Sequence, residues 1–374
     1  MNKDKKKITS LTPKKIERIL LKYDLSSVFF VHGKQSYRSC GAEKLFSTVF
    51  HKLHIYSYDF TDFTANPKWT DTQKGLTVCK KQKPSLIIGV GGGSVLDMAK
   101  LIRFFYSYTG TPTSFSREKK LVPLLLFPTT AGTGTENTHF AVCYIDDIKY
   151  SVTHKAMLPN DYYIDPIFTY SSSPYLTACT GFDALAHAIE SYWSINSTEK
   201  SRKYAKEAIR YIYPNLLKCI YQPTKHVRKK LVYGAHLAGK AINTTFTTAA
   251  HAYSYGITTR LGIPHGHAVA HTFAYFFELN ANISEVNCSD ARGAAFVQER
   301  IKELCALLHF DQADCFFKLS NYIDEVFKCS RTCKKITEDE IDKIFSLVNL
   351  ERLKNNPVIV REHPLKEKCI MLYK

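Results

Sequence analysis

Leu86-Ile87-Ile88-Gly89-Val90-Gly91-Gly92-Gly93-Ser94, followed by a helical period from Val95 to Phe105, is the stretch on which the fold turns. Its first five positions hold no polar residue, which is how a strand covered on both faces reads. The three glycines let the backbone turn tightly, and the next helix presents free N–H groups at its start. A strand running into glycine and then a helix is half of a βαβ unit, so a parallel α/β sheet is expected here. The same glycines can admit a phosphate to the helix start. A tight turn alone would use them equally, and the GxGxxG spacing of the Rossmann dinucleotide fold is absent.

Working outward, Val28–His32 reads as a buried strand ending at Gly33, Ala42–Leu53 has helical spacing, and His54–Tyr58 resembles a strand. Leu121–Phe127 is a further buried strand, closed by Pro128. From about residue 175 the pattern changes to long segments with a period near 3.6, rich in Ala, Leu, Ile and Tyr. The boundary is placed in Ser171-Ser172-Ser173-Pro174, where proline can open a helix behind serine caps. The expected organisation is an α/β dinucleotide-binding domain over residues 1–170 and an all-α metal-binding domain over 171–374. No internal repeat or low-complexity tract is evident.

At 374 residues and 45% hydrophobic content the chain can bury a sizeable core. The N-terminal stretch has lysines but no apolar h-region, and no run of about 18 apolar residues follows, so neither secretion nor membrane spanning is expected. Eleven cysteines form no CxxC pair and read as reduced thiols of a cytoplasmic protein. Cys329 and Cys333 share i, i+4 spacing but have no nearby histidine or second cysteine pair to complete a zinc site. A net charge of +17 can attract nucleic acid, anionic lipid or an anionic small substrate. The excess is scattered in short runs such as Lys5-Lys6-Lys7, Arg228-Lys229-Lys230 and Lys334-Lys335, without interleaved aromatics or a known module, so no specific nucleic-acid partner is expected.

A second loop, Pro128-Thr129-Thr130-Ala131-Gly132-Thr133-Gly134-Thr135-Glu136, follows the next buried strand. Its hydroxyls and glycines can donate to a ligand, and two such loops after neighbouring strands point to one crevice; a polar turn is the plain alternative. In the helical half, Asp183 and His187 stand at i, i+4 on one helix face, with His251 and His265 downstream. One oxygen and three nitrogen donors suit Fe²⁺ or Zn²⁺ and suit Mg²⁺ or Ca²⁺ poorly. A lone histidine in an apolar helix is more often a satisfied core residue, but four candidates in Ala-rich segments weaken that reading.

Taken in order, several blocks resemble the iron-containing (group III) alcohol dehydrogenase family over residues 27–372. They are Gly91-Gly92-Gly93-Ser94-x-x-Asp97-x-Ala99-Lys100, the loop Pro128–Glu136, Ile164-Asp165-Pro166, Thr180-Gly181-x-Asp183-Ala184-Leu185-x-His187-Ala188-Ile189-Glu190, Pro264-His265-Gly266 and Asn356-Pro357. The resemblance implies a dehydroquinate-synthase-like fold, with a nucleotide-binding α/β domain, a helical domain, and a metal in the cleft between them. The implied ligands are Asp183, His187, His251 and His265. The implied cofactor contacts are Gly92, Gly93 and Ser94, with Asp97, Thr129, Thr130, Thr133, Thr138 and Lys149 nearby. A homodimer or higher homo-oligomer is also expected.

In related enzymes an Asp just after the first strand favours NAD. Here that place falls on Gly33, and with Lys34 and Ser36 beside it NADP(H) is expected over NAD(H). Many members also carry a histidine four residues after the third ligand, which serves as a proton relay. This chain has Tyr255, which can still pass or hold a proton but, with an ordinary pKa of about 10, is a poorer base near neutrality, so cofactor ribose hydroxyls or His267 join it as relay candidates. The segments Val31–Tyr37, Thr247–Tyr255 and Gly262–Val269 resemble the phosphonoacetaldehyde reductase branch. That branch carries a lysine near position 246, where this chain has Phe246, and His139, Arg260 or His267 are candidates to replace it.

The resemblance thus implies a metal-dependent, NADP(H)-linked aldehyde reductase or alcohol dehydrogenase, with phosphonoacetaldehyde the leading substrate. A general short-chain alcohol or polyol dehydrogenase of the same family is the nearest alternative. Glycerol dehydrogenases and the cyclising synthases keep the fold but use three protein ligands. A nucleic-acid-binding protein on a retired enzyme scaffold would show salt-dependent binding and no turnover.

Overall fold

The computed structural model describes residues 7–146, 148–330 and 337–361, together with Lys366. Cys333, Lys334, Lys335 and Cys369, and the lysines at 5 and 6, lie outside the described residues. The chain divides into two compact units, Met1–Ser172 and Ser173–Lys374.

In the first unit helix α1 (Pro13–Leu20) is followed by strand β1 (Val28–His32), helices α2 (Gln35–Ser39) and α3 (Ala42–Lys52), and strand β2 (Ser57–Phe60). Helix α4 (Trp69–Gln82), strand β3 (Leu86–Gly91) and helix α5 (Gly93–Ser107) come next, then a hairpin of β4 (Tyr108–Thr111) and β5 (Ser114–Arg117). Strand β6 (Leu124–Pro128), a second antiparallel hairpin of β7 (Phe140–Ile145) and β8 (Ile148–Thr153), and the short β9 (Asp161–Tyr162) complete it. The main sheet is parallel, of order β2-β1-β3-β6-β9.

Alternation along these strands divides the core. Phe30, Ile88, Val90, Leu125 and Phe127 pack with α1 and α3, whereas Phe29, Val31, Ile87, Leu124 and Leu126 pack with α5. Helices therefore cover both faces at the centre of the sheet, and β1, β3 and β6 read as apolar runs because neither set of their alternate side chains meets water. Each such side chain contributes roughly 2 kcal/mol by leaving water.

Strand β1 lies between β2 on one side and β3 on the other. The chain reverses direction across the sheet at that point, which opens a crevice at the carboxyl ends of β1 and β3. Gly33 and the Gly91-Gly92-Gly93 turn sit at those ends.

The strand expected at His54–Tyr58 begins instead at Ser57. The preceding residues finish α3: His54 adopts φ 51°, its N–H donates to His51 O at 3.2 Å, and the Ile55 N–H reaches back to Phe50 O at 2.9 Å. This is a left-handed helix stop, which uses the positions a strand would need. The hairpins β4–β5 and β7–β8 are not foreseen in the sequence: β4, β5 and β8 are largely polar, and β7 (FAVCYI) is an apolar run without a clean alternating period.

Buried deep in this unit, Lys100 on α5 ties the hairpin to the sheet. Its ammonium is inaccessible to water and donates to Thr135 O (2.9 Å), Thr138 O (2.9 Å) and Phe140 O (2.5 Å), with Asp97 Oδ1 at 4.0 Å. Burial pushes its pKa down to about 8 against the pull of Asp97 and Glu136. Burial likewise raises that of Asp97.

The second unit is helical: α6 (Pro174–Trp193), α7 (Glu199–Tyr221), α8 (Lys225–Thr245), α9 (Ala249–Leu261), α10 (His265–Ala281), α11 (Ala294–Leu308), α12 (Cys315–Phe327), α13 (Glu338–Phe345) and α14 (Leu350–Leu353). Helix α6 starts where the sequence indicates, with Pro174 in its first turn and the Ser173 hydroxyl accepting from the Leu176 N–H. Such a cap contributes about 1 kcal/mol. Among the described residues no helix is long and apolar enough to cross a membrane.

The Lys100 network yields a first prediction. Lys100→Met leaves the Asp97 carboxylate and several carbonyls buried without their cation, and should lower unfolding free energy by about 3 kcal/mol in urea denaturation. A loss below about 1 kcal/mol would show that the network does not hold the unit together.

Candidate metal centre and nucleotide loops

Helix α6 is buried along almost its entire length from Thr177 to Trp193, yet it carries Asp183, His187 and Glu190. Their spacing, i, i+4 and i+7, places all three on one face. Buried charges require partners, and helix α9 supplies one. His251 Nε2 lies 3.3 Å from Asp183 Oδ1, while its Nδ1 makes a short hydrogen bond with Glu190 Oε2. His187 Nε2 lies 3.8 Å from the same Asp183 oxygen, and the two imidazoles stack with centroids 4.6 Å apart. Ligand atoms of Asp183, His187 and His251 all fall within 4.8 Å of one another, and all three residues are buried.

His265, the first residue of α10, is the more open member. Its Nε2 stands 3.9 Å from Asp183 Oδ1, its Nδ1 lies 3.3 Å from Ser254 Oγ, and a quarter of its side chain is exposed. Gly266 permits that approach: a Cβ there would overlap the Cys179 carbonyl oxygen and meet Asp183 Cβ at 3.0 Å. The three histidines therefore converge on one oxygen of Asp183, with Asp183, His187 and His251 forming the tight group.

Behind them stands a residue to which the sequence reading gave no role. Glu190 is fully buried; besides His251 Nδ1 it accepts from Thr248 Oγ1 at 2.9 Å, and Thr248 in turn accepts from Trp193 Nε1 at 3.0 Å. By holding Nδ1, Glu190 fixes the tautomer and turns Nε2 toward Asp183, the arrangement typical of a histidine that serves as a metal ligand. Its place at i+7 from Asp183 was the available signal.

The electrostatics agree with the donor set. Burial pushes the Asp183 carboxyl up, but the imidazoles of His187, His251 and His265 outweigh it and hold the group well below the usual carboxylate range. Burial favours neutral His251, yet Glu190 and Asp183 raise its pKa to about 9. The pocket thus draws positive charge to itself, and one carboxylate with imidazole nitrogens suits a borderline divalent ion.

The two residues considered for proton relay part company. Tyr255 is buried on α9 with its ring 6.0 Å from that of His265. His267 instead stacks on Phe327 at 4.1 Å and pairs with Tyr175 through Nδ1 at 3.0 Å, and burial pushes its pKa down to about 4. A neutral imidazole packed in this way is a poor anchor for an anion.

In the first unit the expected cofactor residues form adjoining loops. A Cβ on Gly92 would meet Thr130 Cγ2 at 3.3 Å, one on Gly93 would meet Thr133 Cγ2 at 2.7 Å, and one on Gly33 would meet Val95 Cγ2 at 3.7 Å. Thr129 donates its N–H to Gly91 O at 2.9 Å, and its buried Oγ1 has no hydrogen-bond partner among the described residues. An orphaned hydroxyl beside a glycine turn fits a bound phosphate or ribose. Ser94 Oγ accepts from the Asn66 N–H at 3.2 Å.

Asp97 and Thr138, expected close to cofactor, are engaged within the Lys100 network. Asp97 accepts from Thr135 Oγ1 and from the Val142 N–H at 3.1 Å, and Thr138 Oγ1 accepts from Lys100 at 3.0 Å. Lys149 lies half-buried on β8, where its charge acts on Asp97. Beside the end of β1 a cleft of about 680 Å³ is lined by His32, Lys34, Arg38, Glu43 and Asp59, among others. The sequence reading found no carboxylate after β1, but the neighbouring strand brings Asp59, whose Oδ2 lies 3.5 Å from His32 Nε2.

The family profile described as iron-containing alcohol dehydrogenase matches residues 11–166, and that of the family's C-terminal part, Fe-containing alcohol dehydrogenase, matches residues 177–356. The chain belongs to the iron-containing alcohol dehydrogenase family. Long-chain-alcohol dehydrogenase 1 of Geobacillus thermodenitrificans is 36% identical over 236 residues, which cover 60% of this chain and 58% of that protein. The matched stretch thus spans little more than half of that relative's length. Among solved structures, an iron-containing alcohol dehydrogenase of Thermotoga maritima is 26% identical with a TM-score of 0.77, covering 96% of this chain and 95% of its own. Sulfoacetaldehyde reductase from Bifidobacterium kashiwanohense, solved with NAD⁺, has a TM-score of 0.83 at 24% identity, covering 98% and 96% of the two chains, and shares the fold.

Two predictions concern the candidate metal centre. Glu190→Gln keeps shape but weakens the hold on His251, and should reduce divalent-metal affinity about 10- to 100-fold in a chelator competition; unchanged affinity would remove Glu190 from the site. The proton on His251 stabilises the fold fully below its ordinary value of 6.5, and that contribution is lost as pH rises through about 9. Metal competes with that proton, so apparent affinity should rise about tenfold per pH unit and level off near pH 9. A flat titration between pH 6 and 9 would contradict this.

Proposed function

We propose that this chain is a metal-dependent, NADP(H)-linked aldehyde reductase or alcohol dehydrogenase. The observation that carries the proposal is the buried group of Asp183, His187 and His251 within 4.8 Å, with Glu190 behind it. Asp183, His187, His251 and His265 would hold Fe²⁺, or Zn²⁺, which supplies Lewis-acid polarisation of a carbonyl oxygen, while the nicotinamide supplies hydride.

The chain's own residues supply the rest. Glu190 orients His251, and Gly266 lets His265, a quarter of whose side chain is exposed, approach Asp183. Tyr255, buried beside His265, is the proposed holder of the proton that the product oxygen receives. Gly92, Gly93, Ser94, Thr129, Thr130 and Thr133 would seat the cofactor phosphates, with the α5 start contributing backbone N–H groups. Lys34 has no acidic partner among the described residues and, with Ser36, suits a 2′-phosphate, whereas Asp59 is engaged by His32.

The leading substrate is phosphonoacetaldehyde. The resemblance of Val31–Tyr37, Thr247–Tyr255 and Gly262–Val269 to that branch supports it, as does the +17 charge, which favours an anionic aldehyde. Phe246, where the branch has lysine, instead favours an uncharged short aldehyde or alcohol.

The deciding experiment strips the protein with chelator, reloads it with Fe²⁺ or Zn²⁺, and follows NADPH and NADH oxidation with phosphonoacetaldehyde, acetaldehyde and butyraldehyde. Reloading should restore turnover at least about 100-fold, Asp183→Ala should abolish it, and kcat/KM should be higher with NADPH and with the phosphonate. Equal turnover by stripped and reloaded protein would overturn the metal mechanism. A preference for uncharged aldehydes would overturn only the substrate, and a preference for NADH only the coenzyme.

A further inference from the structure

Helix α8 ends at Thr245 and α9, which carries His251, begins at Ala249. Between them Phe246 adopts φ 56° and ψ −175°, a conformation open to glycine and strained for any residue with a side chain. A phenylalanine persists there only if its surroundings hold it. The Phe246 N–H donates to Ile242 O at 3.0 Å, and Thr245 Oγ1 donates to Phe246 O at 2.9 Å.

The C-terminal stretch Asn349–Asn355 reaches the same segment at three places. The Arg352 guanidinium lies over the Phe246 ring, 4.5 Å from its centroid. Asn355 Nδ2 donates to Thr247 O at 2.9 Å, and the Asn349 N–H donates to Ala252 O at 3.2 Å. Arg352 and Asn355 are buried, and the Asn349 side chain accepts from the Arg352 N–H at 2.9 Å. Asn355 is also tied to the end of α6, accepting from Asn196 Nδ2 at 2.8 Å and from the Ile195 N–H at 3.1 Å. The contacts thus bracket His251, before it at Phe246 and Thr247 and just after it at Ala252.

We propose that Asn349–Asn355 is a clamp that holds Phe246 in its strained turn and so sets the rotation of α9 that brings His251 onto Asp183. Arg352 and Phe246 are positioning residues of the metal centre. The inference rests on the metal reading above. A side-chain ring lies ~6 Å from its helix axis, so a rotation of about 10° moves His251 by about 1 Å, enough to spoil a coordination site. Without the clamp a phenylalanine turn relaxes to negative φ, whereas a glycine turn has no steric reason to do so.

The test uses the full chain with Co²⁺ as probe: affinity by competition with a chromophoric chelator, the visible spectrum of the bound ion, and thermal unfolding of metal-free protein. Arg352→Met should weaken Co²⁺ binding about tenfold or more and shift the spectrum. In Phe246→Gly/Arg352→Met, affinity should return to within about threefold of wild type, because glycine keeps the turn without the clamp. Wild-type affinity and spectrum in Arg352→Met, or a double variant no better than Arg352→Met, would overturn the proposal. Should Arg352→Met fail to fold, Asn355→Ala is read in its place, with weakened Co²⁺ binding expected and wild-type affinity again overturning it. If wild-type protein itself binds no Co²⁺, the metal reading fails as well; if it binds and the clamp variants bind equally, only the clamp is lost.

Discussion

Asp183 and Glu190 are two carboxylates on one helix that is otherwise sealed from water. An isolated buried carboxylate costs several kcal/mol, so a helix of this kind can be packed only if neighbouring elements deliver positive charge or hydrogen-bond donors to both groups. His251 answers both at once, with Nδ1 toward Glu190 and Nε2 toward Asp183 Oδ1, and His187 and His265 close on that same Asp183 oxygen. The packing of α6, α9 and the start of α10 is therefore tied to one cluster. Gly266 is the steric condition for the last of these approaches, since a side chain at that position would meet the α6 backbone.

The first unit solves a related problem with the opposite sign. Lys100 is a cation without access to water, and the carbonyls of Thr135, Thr138 and Phe140 surround it with Asp97. That arrangement holds the threonine loop against the glycine turn, so that Gly92 meets Thr130 and Gly93 meets Thr133. Asp97 and Thr138 belong to this support. Thr129 Oγ1, in the same loop, is buried and has no hydrogen-bond partner among the described residues.

The contacts around Phe246 extend the same logic to the backbone. A strained residue next to a ligand-bearing helix is stable only because remote side chains hold it, and those side chains come from a stretch about one hundred residues further along the chain.

Local rules in the sequence determine much of this. Apolar runs at Val28–His32, Leu86–Val90 and Leu121–Phe127, the last of which pairs in the sheet only from Leu124, demand a sheet covered on both faces, and the period near 3.6 after Pro174 demands helices. Asp183 and His187 share a helix face by spacing alone, because helical geometry fixes what stands at i and i+4. The sequence could not fix what depends on three-dimensional convergence. That His251 meets both Asp183 and Glu190, that Asp97 turns inward to Thr135, that Asp59 arrives from β2 beside Lys34, and that His267 is sealed against Phe327 are all contacts between residues distant along the chain. Periodicity reports which side of an element is buried, but the partner buried against it is chosen only when the elements pack.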